Sequence, residues 1–287
     1  MSQYQIITDS GCDLPNEILE KLDLKMVSLS LIFQGNTLPD SVSGDIKAFY
    51  DAMRQGESAS TAAVNPDGWS QVIENELKQG LDVLVIAFSS GLSTTYQSAV
   101  IAAQELQEKY PERKIFVVDS LCASLGQGLL CHYAAKKRDE GLSIEQLAAW
   151  LEKNKLNLCH WFTVDDLVYL KRGGRVSAAT ALVGTLLNIK PVLHVDDEGH
   201  LVSVSKTRGR KASIQAMVEQ MVNLSLPGEN DFITICHGDC YEDAQMLADL
   251  CKEKLGVKEV FIGYTGAVIG SHSGPGTLAL FFMGKQR

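Results

Sequence analysis

Three hydroxyl-rich loops and one histidine are the parts of this chain that can do chemistry. In Ser89-Ser90-Gly91-Leu92-Ser93-Thr94-Thr95-Tyr96, four hydroxyl residues and one glycine fall within six positions, a composition suited to hydrogen bonding a carboxylate or phosphate. Asp9-Ser10 near the start is one parallel; Ser120 and Ser124, with Gly126, Gln127 and Gly128, are another. His272 lies in a segment with glycines at 263, 266, 270, 274 and 276 and a proline at 275, which brings backbone close to a ligand or another chain and fixes the imidazole. Brought together, Ser93 and His272 allow two chemistries. They can act as nucleophile and base, as in a hydrolase, or as two hydrogen-bond donors to an anionic head group. Ser93 sits in Gly-Leu-Ser-Thr-Thr rather than in a G-x-S-x-G elbow, and no acidic partner for His272 is evident. Hydroxyls in three separate loops favour the second chemistry. A simple helix cap by Ser93 or Thr94 is the competing structural role.

These loops need elements that present them together. Leu81–Phe88 is an apolar, β-branched run fit for a buried strand, and Val100, Ala103, Leu106 and Tyr110 have helical spacing after it. The Ser93 loop is thus a strand-to-helix turn at the carboxyl edge of a parallel sheet, where free N–H groups and a helix dipole favour an anion. Residues 5–8 and 115–120 read as further buried strands, and Val27, Leu29 and Leu31 as a half-buried one. Helices are expected at 45–54, from Asn65-Pro66 toward Lys78, and from the Ser143/Gln146 capping box to about Asn154. The stretch from Ser58 to Pro66 reads as a small-residue loop. Alternating strands and helices indicate a doubly wound sheet. There is neither a G-x-G-x-x-G after the first strand nor a P-loop.

Beyond a boundary near Leu156 the pattern changes. Cys159–Thr163 reads as a strand, Asp165–Leu170 as a short helix and Ser177–Leu187 as an apolar helix. Lys190–Val195 and Leu201–Lys206 form a hairpin. Helices 210–222 and 242–255 alternate with strands 232–237 and 260–264, and 277–283 is a last apolar strand. The expected architecture is α/β with two domains: a parallel doubly wound sheet in 1–155, and an α+β domain with a mixed or antiparallel sheet in 156–287.

Composition narrows the function classes. Of 287 residues, 26 are Lys or Arg and 35 Asp or Glu, a net charge of −9, which argues against nucleic acid as the main partner. No apolar run reaches membrane-span length, and the start leads straight into a strand pattern, so a cytoplasmic protein is expected. The seven scattered cysteines form no C-x-x-C pair. Cys236-His237-x-x-Cys240 lacks a second cluster, so core thiols are expected there rather than a metal site. Against the acidic balance, Lys171, Arg172, Arg175, Lys206, Arg208, Arg210 and Lys211 gather positive charge. Singly these are solvated residues; together they suggest a dock for an anionic partner or lipid surface.

The ordered blocks Thr8-Asp9-Ser10, Ser89-Ser90-Gly91-Leu92-Ser93-x-Thr95-Tyr96, Val117-Val118-Asp119-Ser120 with Ser124-x-Gly126-x-Gly128, Tyr169–Arg175, Ile189–Leu193 and Ile269-Gly270-x-His272-x-Gly274-Pro275-Gly276 resemble the DegV family, the bacterial fatty-acid-binding proteins, essentially end to end. The resemblance implies one long-chain fatty acid, such as palmitate, stearate or oleate, in a tunnel between two domains. It implies that Thr61, Ser93 and His272 hold the carboxylate, supported by Gly91, Thr94, Thr95, Ser120, Gly270 and Gly274. A separate fatty-acid kinase then phosphorylates the carboxylate for phospholipid synthesis. Arg172, Arg175, Lys206 and Arg208 become the expected kinase or membrane patch, with no metal and no cofactor beyond the lipid. The chain departs from the family at Thr61-Ala62-Ala63, where a Thr-Ser pair followed by Gln-Pro is frequent, at Thr94 in place of a frequent glycine, and at Ala267 in place of a frequent proline. Ala62 would remove one hydroxyl from the head group.

The expectation is therefore a non-catalytic fatty-acid carrier. The rivals are a serine hydrolase using Ser93 and His272, and a binder of a phosphorylated or sugar ligand.

Overall fold

The computed structural model describes residues 4–40, 45–177 and 188–287. Apart from Ser177, the apolar helix expected at 177–187 lies outside the described residues. In chain order, β1 (Tyr4–Asp9), α1 (Asn16–Lys21), β2 (Leu24–Val27), β3 (Ser30–Phe33), β4 (Asn36–Pro39), α2 (Ile46–Arg54) and β5 (Ala59–Ala62) come first. Then follow α3 (Pro66–Lys78), β6 (Asp82–Ala87), α4 (Thr95–Lys109), β7 (Ile115–Asp119), α5 (Leu125–Asp139) and α6 (Ile144–Asn154). The rest comprises β8 (Leu158–Thr163), α7 (Val168–Arg172), β9 (Ile189–Val195), β10 (Leu201–Arg208), α8 (Arg210–Leu224), β11 (Phe232–His237), α9 (Tyr241–Leu255), β12 (Glu259–Tyr264), α10 (Ala267–Ser273) and β13 (Leu278–Met283).

β2-β1-β6-β7 form an all-parallel sheet. It is buried on both faces, as its apolar strands demand. Ile6, Leu84, Ile86 and Val118 pack toward α5 and α6. Ile7, Val83, Val85 and Ala87, one position out of phase, pack toward α3 and α4. The helix starts follow local chemistry. The Asn65 side chain accepts from Gly68 N with Pro66 in the first turn, and Ser143 and Gln146 close a capping box.

The second large sheet, β10-β9-β8-β13-β11-β12, is mixed; only β11 and β12 run parallel. Trp161, Ile233, Ile235, Leu280 and Phe282 on one face pack with α8 and α9. On the other face, Phe162, Leu193, Ala279 and Phe281 join the cluster that holds Ile6 and Leu84. α5 makes that possible, because it touches β8, β11 and β13 while covering the parallel sheet. One hydrophobic cluster therefore draws on residues from both sides of Leu156.

Three elements differ from expectation. The 58–63 segment is not a loop: β5 pairs with β3, which also pairs with β4, in a small antiparallel sheet. The residues read as one strand around Leu29 divide between two sheets, Val27 in β2 and Leu31 in β3. The glycine-rich segment before Pro275 contains α10, a helix of seven residues.

Candidate ligand-binding site

The Ser89–Ser93 turn is fixed from below by two aspartates at the ends of neighbouring strands. Asp9 Oδ2 accepts from Phe88 N (2.7 Å) and Asp119 Oδ1 from Ser90 N (3.1 Å). Gly91 N donates to Ser89 Oγ, and Leu92 N and Ser93 N to Ser89 O. Thr95 N donates to Ser93 Oγ (3.2 Å). The N–H groups of residues 88–93 and of Thr95 thus have acceptors within the protein. What the turn offers a ligand is side-chain chemistry. Ser93 Oγ also lies 2.8 Å from the Oγ1 of fully buried Thr95. When Thr95 donates in that contact, Ser93 Oγ receives two hydrogens and its own O–H is left to point into the cavity.

From above, the β9–β10 hairpin tip sits on the same turn. Ser89 Oγ donates to Gly199 O (2.9 Å), and a Cβ on Gly91 would lie 2.8 Å from the carbonyl oxygens of Glu198 and Gly199. Gly91 is glycine for that contact.

His272 is delivered by α10. Tyr50 Oη donates to Thr265 O (2.7 Å) just before that helix, and Gly270 packs directly on the Tyr50 ring. His272 Nε2 is 2.8 Å from Thr61 Oγ1 on β5. A Cβ on Gly173 would sit 2.2 Å from His272 Nδ1, so only glycine lets the backbone approach the ring this closely. Burial, and secondarily the positive charge of Arg175, push the His272 pKa down to about 4. The imidazole is therefore neutral at pH 7 with a single N–H. With that hydrogen on Nε2, His272 donates to Thr61 and frees the Thr61 proton for an acceptor.

Arg175 stands beside this pair. Its guanidinium donates to Leu92 O from Nε (3.3 Å) and Nη2 (3.1 Å) and to Gly173 O from Nη1. Half-burial lowers its pKa from the usual arginine value.

Thr61, Ser93, Thr94, Arg175 and His272 all line one cavity of about 470 Å³. Its floor is the inner face of the mixed sheet. Leu201 and Val195 are register partners, as are His160 and Phe281, and Phe162, Ala279 and Cys236 form a second row. Leu29, Phe88, Val268 and Ile269 add apolar wall from the opposite side. His160, on the floor, is held by Leu158 O at Nδ1 and Ala123 N at Nε2, and burial keeps it neutral. A volume in the range of small-molecule sites, with apolar walls and a few grouped donors, is the form such sites take.

The remaining candidates scatter. Thr95 holds Ser93, as above. Ser120 is fully buried; its Oγ accepts from Cys122 N (3.1 Å), and it is not part of the lining. Ser124 of the same loop is part of it. Gly274 packs on Tyr169. Ala62 is exposed and off the cavity, while its neighbours Thr61, on β5, and Ala63, just past its end, line it; the residue at 62 thus contributes nothing to the lining. Arg172, Lys206 and Arg208 are exposed, Arg172 lying 5.6 Å from the Tyr169 ring centroid. Arg175 departs from the expected outer patch, because its hydrogen bonds to Leu92 and Gly173 turn it into the cavity. No sequence spacing links 175 to 272; only the approach of α7 to α10 does.

Two alternatives lose ground on geometry. No hydrogen bond joins Ser93 to His272, whose ring bonds Thr61 instead, so the nucleophile–base contact is not formed. Cys236 Sγ accepts from Thr265 and lies 3.2 Å from Ser124 Oγ, and Cys240 Sγ contacts Thr277 O and Arg210. Among the described residues, no group of three or more His, Cys, Asp or Glu is placed to hold a metal ion.

Fold and site together define an α/β binding protein built around one inner, mainly apolar cavity with neutral hydrogen-bond donors and one half-buried arginine. The chain belongs to the DegV family: the model of that family, whose description reads "Uncharacterised protein, DegV family", matches residues 3–285. A DegV domain-containing protein of Clostridium perfringens (strain 13 / Type A) is 44% identical over 289 residues, covering 100% of this chain and 99% of the relative. The structure of a DegV family protein from Thermus thermophilus, described for its fatty acid binding, superposes with a TM-score of 0.88 at 31% identity, over 98% of this chain and 99% of that one. A stearic acid-binding protein from Eubacterium ventriosum gives 0.87 at 26% identity, over 98% of both chains. No helix among the described residues is long and apolar enough to cross a membrane.

Proposed function

We propose that this protein binds one long-chain fatty acid in the cavity, which forms a tunnel between domains 1–155 and 156–287. Thr61 and Ser93 donate to the carboxylate, His272 orients Thr61, and Arg175 offsets the charge. The observation that carries this reading is the joining, in one cavity, of an apolar sheet face to the hydroxyls of Thr61 and Ser93, whose protons are free for a ligand when His272 and Thr95 donate to them. The fatty-acid binding described for the Thermus and Eubacterium relatives supports it.

The energetics are adequate. About 15 methylenes at ~0.8 kcal/mol each give a gross burial term near ~12 kcal/mol. Lost translational and conformational freedom removes much of it. A buried carboxylate without partners would cancel the rest, hence the donors.

The protein then acts as a carrier in the cytoplasm, where its seven free cysteines suit a reducing environment. It presents the carboxylate to a partner fatty-acid kinase, and the acyl phosphate enters phospholipid synthesis. Arg172, Lys206 and Arg208 form the face that meets the kinase or an anionic bilayer.

Intact native mass spectrometry of the purified protein, followed by solvent extraction, tests the core of the reading. The expected result is an excess mass matching one fatty acid, gone after extraction. A bare protein that takes up neither added oleate nor palmitate refutes it.

A further inference from the structure

Beneath the head-group turn lie three buried carboxyl groups that the binding scheme leaves unused. Asp9, Asp13 and Asp40 are 0%, 2% and 3% exposed. Asp9 Oδ1 accepts from Gly11 N (3.0 Å), and its Oδ2 takes the Phe88 N–H at the base of the Ser93 turn. Asp40 Oδ1 accepts from Val268 N (3.0 Å) in the first turn of α10, which carries His272. Its Oδ2 accepts from Ser10 Oγ (2.8 Å), and that hydroxyl takes Leu29 N (3.0 Å) from the cavity wall. Asp13 Oδ2 accepts from Ser124 Oγ, on the wall as well. Each carboxyl therefore tethers a different cavity-lining segment.

The charge balance here is unusual. Asp9 faces Asp13 and Cys12 from its own loop, Asp40 from the end of β4, and Gln127 and Cys131 from α5. The charged groups acting on Asp9 and Asp13 are other carboxylates. Burial and their mutual repulsion both favour the neutral form of these carboxyls. One polar atom points the same way: Gln127 Oε1 is buried without a hydrogen-bond partner. A carboxylic acid proton on Asp9 supplies the donor that Gln127 Oε1 lacks. Gln127 Nε2 donates to Thr8 Oγ1 (3.0 Å) and Ile86 O (3.3 Å), which fixes the amide with Oε1 open to that proton.

We infer that Asp9, Asp13 and Asp40 are positioning residues for head-group binding, and that a proton held among them couples fatty-acid affinity to pH. Burial and the neighbouring carboxylates push the Asp9 pKa up to about 7 and that of Asp13 well above the carboxylate range. Below about pH 7 Asp9 keeps its proton and the turn meets the ligand anion with one negative charge fewer beneath it, Asp119 at Ser90 N being the other carboxyl there. Above that, Asp9 ionises, its charge opposes the ligand carboxylate, and affinity falls. By linkage, binding the anion draws a proton onto the hub.

This inference rests on the fatty-acid reading, so its test has one arm independent of ligand. In the first arm, oleate affinity is measured at pH 6.0 and 8.5 by displacement of a fluorescent fatty acid, for the parent and for Asp9→Asn. Free oleate titrates identically in both cases, so the ratio of affinities isolates Asp9. The parent is expected to lose about five- to tenfold relative to the variant between the two pH values, the size of a like-charge interaction across roughly 12–16 Å at an effective dielectric near 20. A ratio that stays flat overturns the coupling. In the second arm, carboxyl-13C aspartate NMR of the ligand-free parent is expected to show an aspartate transition near pH 7. Asp40→Asn, which removes a neighbouring negative charge, should move it to lower pH even if Asp9→Asn fails to fold. No aspartate transition above pH 6 overturns the hub. A transition without oleate binding refutes the ligand reading instead and supports the hub.

Discussion

Replacing Thr61 by valine tests the head-group geometry with little disturbance of the strand. Valine keeps the β-branched shape that suits β5, whose register partner for residue 61 is Leu31. What disappears is one hydroxyl, and with it two contacts: the 2.8 Å bond to His272 Nε2 and the donor to the ligand. A hydrogen bond to a charged group is worth ~1.5–3 kcal/mol. At 1.4 kcal/mol per factor of ten, oleate affinity should fall by roughly ten- to a hundredfold. The free protein also loses stability, by ~1–3 kcal/mol, because His272 Nε2 is left buried without its partner. Displacement of a fluorescent fatty acid gives the first quantity and urea unfolding of delipidated protein the second. An affinity within twofold of the parent, with normal folding, would refute the assignment of Thr61 to the head group.

Arg175→Gln removes a positive charge that helps hold His272 neutral, so the His272 transition, followed by imidazole NMR, should move up from about 4; an unmoved transition means the two side chains do not interact. Replacing His272 by glutamine tests the sign of its linkage. The folded pKa near 4 lies below the unfolded 6.5, so the unfolded chain binds more protons in between, and His272 makes stability rise with pH across that window. At 1.36 kcal/mol per pKa unit, the parent-minus-variant stability should grow by ~3 kcal/mol from pH 4 to 6.5, read from denaturation curves. Finally, Gly199→Ala should lower the melting temperature, since its φ is +80° and a Cβ would lie 2.2 Å from Ser89 Oγ. Ser89→Ala added to it should restore part of the loss, and absence of any rescue would place the strain elsewhere.

What could be read in the sequence, and what could not, follows from range. β6, β7, β11 and β13 are apolar runs of strand length, and α6 has its capping box; each is declared by its own residues. β5, Ala-Ser-Thr-Ala, has no such signature and is a strand because β3 offers it an edge. α5 was not anticipated because cores touch it on two sides. Its small and apolar positions, among them Gly126, Gly128, Leu129, Cys131 and Ala134, are buried around much of its circumference, which erases the amphipathic period. The hydroxyl loops and His272 were visible as composition. That Thr61 rather than Ser93 contacts the imidazole, and that Arg175 turns inward, depends on tertiary approach alone.

The make-up of the head-group end also bears on what the site selects. In the proposed reading, an anion at Ser93 meets no fully buried cation. It meets two hydroxyls, one of them backed by a neutral imidazole, and an arginine already donating to Leu92 and Gly173. Such a site holds a small anion weakly, because desolvating the charge is only partly offset. Affinity must then come from the apolar floor built by β8, β9, β11 and β13, with the head group setting orientation. Tail burial holds the ligand, while a weakly clamped carboxylate remains open to chemistry by a partner, which is the division of labour a carrier needs.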